Sequence, residues 1–100
     1  MGQHTLRITI KQTEDATLLM LEGRVAGPWA AELGRIWQER APRLAQTKLS
    51  IDLSSVTYAD ADGTRVLREI YSQTQPKLVA ATPWTQHLAR EIAGEKEQMF

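Results

Sequence analysis

Leu6, Ile8 and Ile10 alternate with Arg7, Thr9 and Lys11, a period of two that predicts a strand with one buried face. Thr13-Glu14-Asp15 then turns the chain, and a second strand is expected from Thr17 to Glu22, ending at Gly23. So tight a connection predicts an antiparallel hairpin. The second strand is apolar without alternation (Leu18-Leu19-Met20-Leu21), which predicts cover on both of its faces. Gly27-Pro28 opens a helix, because proline at a first helical position gives up an N–H that has no partner there. Trp29, Leu33, Ile36 and Trp37 make its apolar stripe, and Pro42 predicts its end near Ala41.

The pattern returns to alternation at Lys48–Leu53, where Leu49, Ile51 and Leu53 share a face and predict a third strand. Ser54 to Ala61 reads as a polar connection. A second helix is expected from about Asp62 to Thr74, burying Val66, Leu67, Ile70 and Tyr71, with Pro76 closing it. Leu78–Ala81 predicts a short strand. Thr82-Pro83 starts a last helix carrying Trp84, Leu88 and Ile92, and Gly94 stops it. The order β-β-α-β-α-β-α implies a small α/β domain: a mixed four-stranded sheet with right-handed crossovers and helices mainly on one face. The pattern does not give the strand order. One domain over residues 1–100 is expected, ordered from about 5 to 94, with a loose tail at 95–100.

Composition narrows the class. The chain has 100 residues, 12 basic and 12 acidic, no cysteine and 42% hydrophobic residues, enough for one core and too apolar for disorder. Zero net charge argues against a general nucleic-acid or membrane-surface binder, which needs a basic excess. Without cysteine there is no disulfide framework or zinc-thiolate site, and no apolar run is long enough to span a bilayer or serve as a signal peptide. A cytoplasmic domain without direct membrane insertion is expected.

Little in the sequence points to catalysis. There is no glycine-rich phosphate loop, and His4 and His87 stand far in sequence from any serine or threonine they could activate. Asp52, Asp60 and Asp62 could be gathered around Mg²⁺, but a phospho-accepting receiver also needs an acidic pair on an early strand, and Leu6–Lys11 has none. The expectation is no enzyme, no cofactor and no metal. Asp62 is expected to cap the second helix, which leaves Asp60 available to a partner; Asp60→Ala should then weaken binding at nearly unchanged melting temperature. Core packing is the first expectation for the tryptophans, and a solvated pair with Glu69 for Arg65.

The segment from Leu49 to Gly63 resembles the central signature of STAS domains, the anti-sigma-factor antagonists and the related domains of sulfate transporters and of a bacterial phospholipid-transport complex. In that family a strand ends in a hydrophobic-Asp-hydrophobic-Ser run, and an Asp-Ser-Ser-Gly variant follows that leads into a helix. Asp52, Asp60 and Gly63 match at that spacing, and the element order agrees over roughly residues 5–94. The resemblance implies the fold and a protein partner bound through the Val56–Gly63 loop and the following helix: Asp60, Ala61, Asp62, Gly63, Thr64, Arg65 and Arg68. It also implies a bacterial signalling role in transcription regulation. Antagonists carry a phosphorylated serine or threonine after the signature Asp; here that position is Ala61, which has no hydroxyl. Either Asp60 and Asp62 imitate the phosphate, or the domain is not switched there. The first expectation is an antagonist binding a kinase-like anti-sigma factor, not switched at this position. The alternative is a small STAS-type subunit docking on the ATPase of a transport complex. A weak homodimer stays open.

Overall fold

The structure, a computed structural model, describes residues 6–44 and 48–94. The hairpin forms as expected: β1 (Leu6–Gln12) pairs antiparallel with β2 (Ala16–Val25), Ile8 opposite Leu21 and Ile10 opposite Leu19. Thr13 closes its turn, its N–H and hydroxyl both donating to the Ala16 carbonyl. α1 (Pro28–Leu44), β3 (Lys48–Ala59), α2 (Ala61–Thr74), β4 (Lys77–Val79) and α3 (Pro83–Ala93) follow. The sheet order is β1-β2-β3-β4, with β2, β3 and β4 mutually parallel. Parallel strands joined through helices start every helix at the same end of the sheet, the end where the strands finish.

Leu19, Leu21, Leu49, Ile51 and Leu53 point from the sheet into one core, closed by Leu33 and Trp37 of α1, Leu67 and Ile70 of α2, and Leu88 and Ile92 of α3. α2 packs between α1 and α3. Trp37 is buried, its indole N–H donating to Gln73 Oε1 at 3.0 Å. Thr82 and Thr85 form a reciprocal cap on α3, and Gly94 ends that helix in the left-handed conformation, as its sequence predicts.

Five local expectations are corrected. β2 does not stop at Gly23 but runs to Val25; the glycine, at φ 103°, sits at an irregularity in the pairing that only a residue tolerant of positive φ accommodates easily. β3 does not give way to a polar loop after Leu53: it pairs with this longer β2 as far as Ala59, taking up two extra residues at register shifts. Alternation breaks at each shift, which is why Ser54–Ala59 reads as a connection. α1 continues through Pro42 to Leu44, so the proline falls in the last turn and does not end the helix at Ala41. β4 is Lys77–Val79 rather than Leu78–Ala81, because Ala81 and Thr82 already direct their N–H groups to Thr85 Oγ1. Finally, no helix among the described residues covers the far side of β2. Leu18 and Met20 are half-buried on the sheet face opposite the helices. The expected tail at 95–100 and His4 lie outside the described residues.

Candidate functional site

The start of α2 lies where β3 ends, and Asp60 organises it. Its N–H donates to the Val25 carbonyl at 3.3 Å, continuing the strand pairing by one residue. Its Oδ1 accepts from Gly63 N–H at 2.7 Å, the N-cap of α2, and its Oδ2 accepts from Gly27 N–H at 3.0 Å, just before α1. These two N–H groups, Gly63 foremost, hold the Asp60 carboxyl below its ordinary pKa. The cap is therefore Asp60 and not Asp62, and one carboxylate ties the starts of two helices together. Asp60→Ala consequently removes a cap and a latch at once, so its effects on binding and stability are not separable as the sequence suggested.

Asp62 sits in the first turn of α2, exposed, with Oδ1 accepting from Arg65 at 2.8 Å. Arg65 therefore pairs one turn back instead of with Glu69. With Asp60 turned inward and Asp62 bound to Arg65, the two carboxylates do not together present a phosphate-like group. Gly63 is buried against the end of β2: a Cβ there would lie 1.9 Å from the Val25 carbonyl oxygen. This close approach, not a turn, explains the glycine.

An open groove of about 460 Å³ runs beside this helix start, lined by Ala59, Asp60, Ala61, Thr64, Arg65, Arg68 and Glu91. Five of the seven site residues expected from sequence thus line one depression; Asp62 stands at its edge through Arg65, and Gly63 lies beneath. Ala61 is exposed. Arg68 donates Nε–H to the Glu91 carbonyl at 3.1 Å and links α2 to α3. Glu91 was not anticipated, since nothing in the sequence says which turn of α3 packs beside Arg68.

Two of the three tryptophans are also placed differently. Trp29 and Trp84 are 36% and 39% exposed, each the second residue of its helix, at the same end of the sheet as Ala61. Asp52 does not join Asp60 and Asp62: it lies on the open sheet face, accepting from Ser54 N–H at 2.9 Å. Among the described residues no three His, Cys, Asp or Glu side chains are grouped to hold a metal ion. His87 is exposed on α3, 3.6 Å from Glu91, and no helix among the described residues is long and apolar enough to cross a membrane.

No protein-family profile matches the chain, and no curated protein sequence does. Solved structures do. An anti-sigma factor antagonist from Mycobacterium paratuberculosis superposes with a TM-score of 0.71 at 19% identity, over 93% of this chain and 81% of that one. An antisigma-factor antagonist STAS domain from Rhodobacter sphaeroides gives a TM-score of 0.58 at 12% identity, covering 77% of this chain and 86% of its own. The anti-sigma factor antagonist SpoIIAA, in its unphosphorylated form, gives 0.52 at 9% identity, over 91% of this chain and the whole of that one. The chain has the SpoIIAA-like STAS fold.

Proposed function

We propose that this chain is a non-catalytic protein-interaction module of the anti-sigma-antagonist kind, working in the bacterial cytoplasm. It docks a regulatory partner over the start of α2 and is not switched by phosphorylation at position 61. One observation carries this reading: residues singled out by the signature, on the end of β3 and the first two turns of α2, converge on one solvent-open groove with an exposed Ala61 in its wall. The partner-facing group is then Ala61 with Thr64, Arg65 and Arg68, held in place by the Asp60 latch. A side chain without a hydroxyl at position 61 leaves a kinase nothing to modify there.

The test is an affinity pull-down from the source cell's lysate with the wild-type domain and with Ala61→Tyr, which adds bulk at an exposed position outside the core. Recovery of a kinase-like anti-sigma factor by the wild type, lost with Ala61→Tyr, is the expected result. A transport ATPase lost in the same way would move the chain to the transport-subunit class. Metal-dependent turnover or phosphate release by the isolated domain would overturn the non-catalytic reading.

A further inference from the structure

Among the described residues no element covers the helix-free face of the sheet, and its charge is not that of the chain. Strand pairing sets Lys11, Leu18, Ser50 and Lys77 in one row across all four strands, and Thr9, Met20, Asp52 and Val79 in the next. Arg7 opposite Glu22, and Arg24 opposite Tyr58, extend the face toward the strand ends, while Lys48 opposite Ala16 bounds it at the other end. Five cations and two carboxylates thus share a surface in a chain whose net charge is zero. The two acids are engaged: Glu22 lies 3.8 Å from Arg7, and Asp52 accepts from Ser54 N–H. Among the described residues, Lys11, Lys48, Lys77 and Arg24 have no salt-bridge partner, and the Arg24 guanidinium lies 4.5 Å over the Tyr58 ring.

Leu18 and Met20 stand side by side on the inner strand β2 and Val79 on the edge strand β4 beyond Asp52, while the cations stand on β1, on β4 and at the strand ends. Leu18 and Met20 are half-buried and Val79 is 37% exposed. We infer that this face is a second docking surface, for an acidic amphipathic helix of a protein partner. Its apolar stripe would lie on Leu18, Met20 and Val79, with its carboxylates meeting Lys11, Lys77 and Arg24. A helix about 10 Å across covers the two strand spacings of about 4.8 Å that separate Leu18 and Met20 on β2 from Val79 on β4. Nucleic acid fits less well because, among the described residues, the face offers no aromatic platform for bases apart from Tyr58. This surface is distinct from the groove at the start of α2, so the domain could hold two partners at once.

The test titrates the full chain, ¹⁵N-labelled, with a synthetic amphipathic helical peptide of about 18 residues, leucine on one face and glutamate flanking it. Shifts confined to residues 9–11, 18–24, 50–52 and 77–79 are expected, with binding that weakens as salt rises. The double variant Lys11→Glu/Lys77→Glu should lose roughly tenfold in affinity or more. Met20→Glu should lose as much; if it fails to fold, the lysine pair alone decides. No shifts on this face, equal binding of a lysine-flanked peptide, or stronger binding of oligo-dT or phosphatidylglycerol vesicles would overturn the proposal. So would the same shifts arising from protein concentration alone, which would make the occupant a second copy.

Discussion

Replacing Gly63 by alanine adds one methyl group to the start of α2 where there is no room for it. The new Cβ would lie 1.9 Å from the Val25 carbonyl oxygen, 2.8 Å from the Val25 carbonyl carbon and 3.0 Å from its Cγ1. The first two neighbours are backbone of a central strand and cannot rotate away. Relief requires α2 to back off by roughly 1 Å, and a gap of that size forfeits a quarter to a half of the dispersion energy of the contacts it opens. The same movement pulls Gly63 N–H from Asp60 Oδ1 and loosens the cap. Together these effects are expected to cost about 3 kcal/mol, a large part of the ~5–15 kcal/mol that holds a domain folded. At about 4–8 °C per kcal/mol for a domain of this size, the melting temperature should fall by roughly 12–24 °C. Circular-dichroism melts and urea midpoints read the change directly. Gly34→Ala is the internal control: its Cβ meets Val66 at 3.7 and 3.8 Å, ordinary contact, inside a helix where alanine is favoured by about 0.5–1 kcal/mol. It should melt higher than the wild type. A Gly63→Ala domain within about 0.5 kcal/mol of wild type would show that α2 does not press on β2 as described.

Three other expectations rest on separate contacts. Because the folded state lowers the Asp60 pKa, its charge contributes stability above the unfolded carboxylate value of about 4 and loses that contribution as pH falls through the lower folded value. Asp60→Asn should therefore be less stable than wild type at neutral pH and approach it in acid; a gap that stays constant down to pH ~2 would sink this account. Thr85→Val keeps the buried shape but strands the Ala81 and Thr82 N–H groups, which should cost about 2 kcal/mol, while Thr85→Ser keeps the hydroxyl and should lose less. Equal losses in urea titrations of the two variants would refute a hydrogen-bonding role. Ala61→Ser restores a hydroxyl at an exposed first-turn position, and a kinase of the anti-sigma-factor class should label it from ATP. If the folded variant stays unlabelled, the surrounding surface no longer presents this position to such a kinase.

The order of strands and helices was legible because most elements obey one period: alternation in Leu6–Lys11 and Lys48–Leu53, helical spacing through Leu33 and Trp37. The capping residues Thr82 and Gly94 act through neighbours within a few positions in the chain, so both ends of α3 are legible from sequence. The sequence misled where a neighbour decides. The length of β3 depends on β2 offering partners out to Val25, and its two register shifts erase the alternation that would have shown a strand. The cap assignment at Asp60-Ala61-Asp62 turned on Gly27, thirty-three positions earlier in the chain, whose N–H fixes which carboxylate faces inward. Glu91 and Arg68 meet only because α3 packs on α2. At the open sheet face, zero net charge concealed a separation of charge that only the pairing of strands brings out.

The three indole rings occupy two optical environments. Trp37 is enclosed and hydrogen-bonded to Gln73, whereas Trp29 and Trp84 meet water beside the start of α2. Emission from the enclosed ring should be blue-shifted and hard for iodide to quench, and emission from the outer pair red-shifted and readily quenched. A protein docking over that end would protect the outer pair and leave the inner ring unchanged, whereas unfolding would merge all three. The native fluorescence of the unlabelled chain therefore separates occupancy of the helix-start surface from loss of the fold, and a ligand on the opposite sheet face should move neither signal.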